Sequence, residues 1–390
     1  MPLRDLLRRS AGLAPVETRA LSIADPALAQ YLGVGSGSSA GQVVSEQSAL
    51  GLTALYRAVS LIAGTLAALP WKTYRTGADD SRERVRGLWV DDPGAPAGLT
   101  PYAWRELVYT HLTMWGNFYG GHEYGGAGQL LGLTPIHPSA VEIIVDRDTG
   151  ARVYRVRLAN GQTRDLRAGL ELTHIMGLTT DGVRGLSPLT IARNAIGAGL
   201  AGDDAAARMF ANGAFYSGMV TTQEDVEETE AVQIAEGIRN MAGTKTAGEI
   251  LFVNRNLTFS SWAQSHEDAQ FLESRAFQVE EIARFYGLPK VLLAEDGAST
   301  WGSGIAELVR GLEKFTFRPW AARVEAALAP LLPENVHLEL DFAGLLAPSE
   351  SEATANALAE VAAGTLTIDE YRRIKNRPPL ARTPDPEVVA

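Results

Sequence analysis

Apolar side chains recur at helical spacing from Ala49 to Leu69. Leu52, Leu55, Tyr56, Val59, Ile62, Leu66 and Leu69 fall three or four residues apart, and Pro70 closes the run. The pattern predicts a core helix followed by a short strand, Trp71 to Arg75. A second helix opens at Thr100 as N-cap with Pro101 in its first turn, and turns Trp104, Leu107, Val108 and Leu112 to one side. Period two then takes over between Asn117 and Met176: Val141 to Val145 and Val153 to Leu158 alternate, and Asn160-Gly161 marks a tight hairpin. Residues 49–176 therefore read as one α+β domain.

Ser187-Pro188 repeats the cap-plus-proline opening and predicts a helix to about Asn212, ended by Gly213. Its Gly197, Gly199, Gly202 and many alanines make a thin surface on which other helices can pack closely. A small strand-helix-strand-strand unit follows: Phe215 to Thr221, Val226 to Met241, Glu249 to Val253 and Leu257 to Trp262. Glu224, Asp225, Glu227, Glu228 and Glu230 crowd the start of its helix, where carboxylates favour the macrodipole. His266 to Gly287 is a strong helix about 33 Å long, with Phe271, Leu272, Phe277, Val279, Ile282 and Phe285 mainly on one side. Leu288 to Gly302 reads as a loop exposing Val291, Leu292, Leu293 and Trp301.

Ile305, Leu308, Val309, Leu312, Phe315, Trp320, Val324 and Leu328 predict a long helix, which Pro319 should kink. A strand, Val336 to Phe342, and two short helices, Ser349 to Ala363 and Thr367 to Lys375, complete the pattern. Thr367 and Glu370 form a capping box, and the proline-bearing tail from Arg377 is expected to fray.

Composition narrows the function. The 390 residues are 46% hydrophobic and 21% charged, enough apolar material for a packed core. The net charge of -11 argues against a wholly cationic DNA-gripping or anionic-membrane-binding surface. The absence of cysteine removes disulfides, thiolate metal sites and cysteine nucleophiles. The basic start, Met1 to Ser10, lacks the apolar stretch of a signal peptide, and the most apolar run, Leu61 to Leu69, is far short of the roughly 20 residues a bilayer requires. A soluble protein without a membrane partner is expected. The stretch Gly33 to Gly41 reads as a flexible linker, because it lacks a phosphate loop's register and preceding strand.

Catalytic chemistry is sparse. The six histidines stand in no metal-binding spacing, Gly243-Thr244-Lys245-Thr246 follows a helix and lacks the earlier glycine of a Walker loop, and Ser187 is explained by capping. Asp203-Asp204 is one acidic pair on a helix and reads as solvated. No enzyme, cofactor or metal is expected.

Several motifs taken in order resemble the portal proteins of tailed bacteriophages, of the type found in long-tailed phages of the lambdoid capsid lineage. They are Ala54-Leu55-Tyr56-Arg57-Ala58-Val59 with Leu69-Pro70-Trp71, Trp115-Gly116-Asn117-Phe118-Tyr119, Leu133 with Pro135 before His137-Pro138, and Arg184-Gly185-Leu186-Ser187-Pro188-Leu189. Phe210-Ala211-Asn212-Gly213-Ala214, Glu267-Asp268-Ala269-Gln270-Phe271-Leu272 and Phe277-Gln278-Val279-Glu280-Glu281-Ile282-Ala283-Arg284 continue the series. Gly287-Leu288-Pro289 and Ser299-Thr300-Trp301-Gly302-Ser303-Gly304-Ile305 complete it, so that it spans about residues 45–380.

The resemblance implies an α+β portal-like protomer with α/β wing, two-helix stem, inserted β-α-β-β clip, long kinked helix and short helical crown. Residues 1–44 would be a flexible N-terminal arm, 45–187 the wing, 188–213 the first stem helix, 214–264 the clip and 265–287 the second stem helix. The tunnel loop would be 288–303, the long kinked helix and a returning wing strand 304–344, the short crown 345–380 and the tail 381–390. It implies a twelve-subunit ring at a capsid vertex of the virion, assembled in the host cytoplasm, through which double-stranded DNA is packaged and ejected. Implied partners are the terminase large subunit, a head-tail adaptor, and the major capsid protein or scaffold.

Site expectations follow. Leu292, Leu293, Glu295, Asp296, Ser299, Thr300 and Trp301 would form the DNA-channel loop. Ala198, Gly199, Gly202, Phe271 and Phe277 would pack subunits in the stem, and Glu227, Glu228, Arg255 and Asn256 would dock partners at the clip. Twelve helices at about 10 Å spacing leave a lumen of roughly 28 Å, wider than a duplex of about 20 Å. Two other classes compete: an oligomeric scaffold without a DNA channel, and a metal-dependent nucleic-acid-processing enzyme.

Overall fold

The computed structural model describes residues 37–77, 79–146, 149–158, 160–211, 218–222, 229, 232, 257–261, 265–293, 303–346 and 350–380. The chain forms two compact units, one from residues 1–67 and 92–296, the other from 68–91 and 297–390.

In the first unit, helix α1 (Glu46–Gly51) is opened by a capping box between Ser45 and Ser48. Helix α2 (Thr53–Ala68) buries Leu55, Val59, Ile62 and Leu66, the stripe expected from its spacing. Helix α3 (Pro101–Trp115) starts where the sequence predicts. The Thr100 hydroxyl accepts from the Ala103 amide, Pro101 occupies the first turn, and Gly116 ends the helix at φ 69°.

Two antiparallel three-stranded sheets follow. One has the order β4 (Leu130–Ile136), β3 (Asn117–Tyr124), β8 (Leu172–Met176); the other is the meander β5 (Val141–Val145), β6 (Arg152–Arg157), β7 (Thr163–Arg167). Tyr119 and Leu172 of the first sheet and Val141, Tyr154, Val156 and Leu166 of the second form one buried cluster. The Asn160-Gly161 turn joins β6 to β7, with Gly161 at φ 79°.

Beyond β8 comes a helical turn, α4 (Pro188–Ile191), capped by Ser187, and then α5 (Arg193–Ala211). The single helix expected from Ser187 to Asn212 is thus broken at Ala192, whose ψ of 7° leaves the helical range. Strands β9 (Gly218–Thr222) and β10 (Leu257–Ser261) pair antiparallel, and α6 (Ser265–Tyr286) runs back along α5. Of the expected strand-helix-strand-strand unit, the helix Val226 to Met241 is described only at Thr229 and Val232, both helical, and the strand Glu249 to Val253 lies outside the described residues. Over 37–44, the end of the stretch read as a flexible arm, the chain lies on α5. The Ser39 amide donates to Asn194 Oδ1 at 3.1 Å, Gln42 Nε2 donates to Asp204 at 3.3 Å, and Val44 is buried.

The second unit interrupts the single α+β domain expected over 49–176. Strand β1 (Trp71–Thr76) pairs on one side with β2 (Arg82–Val85) and on the other with β11 (Val336–Leu340), in the register Trp71↔Leu340 and Thr73↔Leu338. Trp71 and Thr73 are buried together with Val336, Leu338 and Leu340, so the inward face of β1 is completed only by chain some 265 residues away, an interval read from that register. Helix α7 (Ser303–Leu312) runs through a π-helical stretch, Glu313–Phe317, into α8 (Arg318–Leu328). The π stretch ends two residues before Pro319, the residue expected to kink the helix, whose ring nitrogen cannot donate to the carbonyl four residues back. Helices α9 (Glu350–Ala362) and α10 (Ile368–Ile374) follow, the latter opened by the expected Thr367–Glu370 capping box.

Candidate functional site: the base of the helix pair

The first unit is organised around the point where α5 and α6 meet the sheets. The two helices are antiparallel, because Ala198 lies beside Gln278 while Asp203, further along α5, lies beside the earlier Arg275. Gln278 Nε2 donates to the Ala198 carbonyl at 3.2 Å, and Arg275 pairs with Asp203. Three glycines of α5 face different neighbours, and only Gly202 faces α6, at ordinary contact distance. A Cβ at Gly202 would sit 3.5 Å from Arg275 and Gln278, one at Gly199 would come within 2.9 Å of Leu52, and one at Gly197 would overlap Ser38.

At their base, four successive carbonyls from the end of α3 take hydrogen bonds from elsewhere in the unit. Thr113 O accepts from the Tyr286 hydroxyl at 3.1 Å, at the end of α6. Met114 O accepts from Ser187 Oγ at 3.4 Å, at the start of α4. Trp115 O accepts from Asn117 Nδ2 at 2.9 Å, and Gly116 O accepts from the Gly177 amide at 2.8 Å. The last carbonyls of any helix lack intrahelical donors; here three of the four donors come from the segments that carry α5 and α6, and the fourth is Asn117 at the head of β3.

Asn117 occupies the centre. Its Nδ2 also donates to Gly185 O at 2.8 Å, and its Oδ1 accepts from the Gly185 amide at 2.8 Å and from His174 Nε2 at 2.9 Å. Both amide hydrogens and both oxygen lone pairs are therefore used, as a buried amide requires. His174 Nδ1 takes the Tyr154 hydroxyl at 3.1 Å, and the Tyr119 ring stacks on the imidazole at 4.4 Å. Desolvation, aided by Arg152, lowers the His174 pKa to about 3, so the ring is neutral and its Nε2 proton points at Asn117. Segment 177–187 is also braced from within. Asp181 Oδ1 accepts from the amides of Val183 and Arg184 at 2.8 and 3.0 Å, and those bonds hold its carboxyl below the usual range.

A second cluster ties α1 to the sheets. His137 Nε2 lies 3.2 Å from Glu46 Oε2, and His111 stacks edge-on to His137 at 5.3 Å. The hydrogen bond from His137 lowers the Glu46 pKa, while burial lowers that of His111 to about 4.

The expected site residues fall out as follows. Ala198, Gly199 and Gly202 lie in α5 and meet Gln278, Leu52 and Arg275 of the same chain. Phe277 lies exposed on α6; Phe271 lies on α6 too, its side chain outside the described residues. Leu292 and Leu293 are half-buried in a 3-10 turn after α6, with the Leu292 carbonyl accepting from Arg57 Nε at 3.3 Å. Glu295, Asp296, Ser299, Thr300, Trp301, Glu227, Glu228, Arg255 and Asn256 lie outside the described residues. Gly116, Asn117, Gly177, Gly185 and Tyr286 were given no role by sequence reasoning. For Gly116 and Asn117 the signal was an asparagine directly after a helix-ending glycine, at the head of a strand whose first residues are buried. Among the described residues no group of three or more histidines and carboxylates is arranged to hold a metal ion, and no helix is long and apolar enough to cross a membrane.

This architecture, sheets bearing an antiparallel helix pair with a strand ribbon between the helices, matches the phage portal protein family, whose model covers residues 53–376. The chain belongs to that family. It is 30% identical over 389 residues to the probable portal protein of Streptomyces phage phiC31, covering 95% of this chain and 84% of the relative. It is 28% identical over 351 residues to the portal protein of Enterobacteria phage HK97, covering 86% and 81%. Its fold is also that of a chain in a structure of the neck of a native gene transfer agent particle computed with C12 symmetry, at a TM-score of 0.58 and 20% identity, over 92% of this chain and 100% of the other.

Proposed function

We propose that twelve copies of this chain form a ring at one vertex of a capsid, and that double-stranded DNA enters and leaves the particle through its channel. The observation that carries the reading is the likeness to a chain from a particle neck with twelvefold symmetry, over nearly the whole length of both. The two-helix stem fits it, because one helix of the pair from each of twelve copies, at about 10 Å spacing around the axis, leaves a lumen of roughly 28 Å, enough for a duplex. An acidic chain also suits a conduit, which must pass every sequence without gripping phosphates. In this reading the ribbon β9–β10 and the chain between its strands, 214–264, form the tip that docks the terminase large subunit and later the head-tail adaptor. Residues 288–303 form the loop around the duplex, with Leu292 and Leu293 at its root, and the outer sheets meet the major capsid protein or scaffold. The protein would work in the virion after assembly in the host cytoplasm, without catalytic turnover.

Electron microscopy of the purified chain tests this directly. Rings with an open central pore are expected, and a strictly monomeric mass with no rings at physiological salt and high concentration would overturn it.

A further inference from the structure

We infer that the four carbonyls ending α3 form a socket that fixes the angle at which the helix pair leaves the sheets, with Asn117 and Tyr286 as its positioning residues; this rests on the ring reading above. Both ends of the pair are held at the same place. The start of the α4–α5 segment is tied through Gly177, Gly185 and Ser187, and the end of α6 through Tyr286. Because α5 and α6 are joined near the base by Arg275–Asp203 and Gln278–Ala198, fixing the base orients the two helices together.

At Gly116 the contact is backbone against backbone, with no side chain between to yield. A Cβ at Gly116 would overlap the Leu186 carbonyl, and one at Gly185 would overlap the Gly116 carbonyl. Asn117 then supplies the one side chain that bonds both the amide and the carbonyl of Gly185, as a neighbouring strand would. In a closed ring the rotation between neighbours is fixed by the subunit count, and rings of twelve and thirteen differ by only about 2° per subunit. A junction that gave by a few degrees would therefore spread the count.

The test compares three variants of the full chain. Asn117→Asp keeps the size and the acceptors but cannot donate to Trp115 O and Gly185 O. Tyr286→Phe removes only the hydroxyl. Trp104→Phe removes an equally buried bond, Nε1 to Leu133 O at 2.8 Å, between α3 and β4 and away from the socket. Melting temperature, the ring-count distribution by native mass spectrometry and electron microscopy, and hydrogen exchange at the Gly177 and Gly185 amides are measured together. In Asn117→Asp and Tyr286→Phe, exchange at those amides should rise about ten-fold while the core of α3 stays protected. The main ring count should lose about half its share to neighbouring counts. Trp104→Phe should melt at least as early yet keep the parental distribution.

An unchanged distribution in both socket variants, or the same broadening in Trp104→Phe, overturns the socket. If Asn117→Asp does not fold, Tyr286→Phe decides alone. If the parent chain forms no rings, the ring reading fails and the exchange arm judges the socket separately: a rise upholds the junction, no change rejects it.

Discussion

Gly116→Ala should be one of the most damaging single-methyl changes in the first unit, and the structure separates its two causes. Gly116 and Gly98 share the same backbone conformation, φ 69° in each. An added Cβ at Gly98 meets nothing within 4 Å, whereas at Gly116 it runs into the Leu186 carbonyl and lies 3.3 Å from Pro188 Cδ. Gly98→Ala therefore reports the left-handed backbone alone, about 1–2 kcal/mol. Gly116→Ala adds an overlap with backbone that cannot step aside, a further 1–3 kcal/mol or about 2 at the centre of that range. At roughly 2–4 °C per kcal/mol for a unit of this size, Gly116→Ala should melt about 4–8 °C below Gly98→Ala.

The assay is differential scanning calorimetry of the full chain at one protein concentration, because assembly would make the midpoint depend on concentration. The transition of the first unit is followed in both variants and the parent. Midpoints for the two variants within about 2 °C of each other would refute the reasoning. They would mean that segment 177–187 moves away freely, so the close approach of Gly116 to Leu186 constrains nothing.

Gly199→Ala should destabilise by about 1 kcal/mol through the Leu52 methyls, and the penalty should vanish in a Leu52→Ala background; additive losses in the double-mutant cycle would refute the contact. His111 and His174, with pKa values lowered to about 4 and about 3, stabilise the neutral fold above the unfolded value of about 6.5, and that stability drains as pH falls toward those values. Replacing His174 by glutamine should therefore lower stability at pH 7 yet flatten its fall between pH 6.5 and 4 by up to about 1.4 kcal/mol per pH unit; a parental slope in urea titrations would contradict this. Glu46, whose pKa is lowered chiefly by the His137 hydrogen bond, contributes stability present above the unfolded carboxylate value and lost as pH falls through its folded value. Glu46→Gln should accordingly melt earlier at neutral pH and converge with the parent in acid, and a constant gap across pH would speak against the hydrogen bond from His137.

Local features could be read from sequence because their causes are local. Thr100-Pro101, Ser187-Pro188 and Thr367 with Glu370 open helices where expected, since a cap and its amide lie within three residues. The pairing of Trp71 with Leu340 could not be read that way. Alternation shows that a strand wants a partner but not which partner, and here the partner lies at the other end of the chain.

The base of the helix pair shows the same limit more sharply. Gly197, Gly199 and Gly202 announce a close approach by their spacing, but what approaches is Ser38, Leu52 and Arg275, which spacing cannot name. Asn117 is harder still, since its partners Trp115, His174 and Gly185 come from α3, β8 and the chain before α4, and only the assembled sheets bring them within 3 Å. A polar residue saturated in this way gains its bonds only when all three segments are in place. It rewards one arrangement and penalises every near miss, because a displaced neighbour leaves a buried amide unsatisfied. An apolar residue at position 117 would tolerate small tilts of the segment leading into α5. The asparagine does not, and that intolerance is the property a subunit needs if a few degrees decide how many copies close a ring.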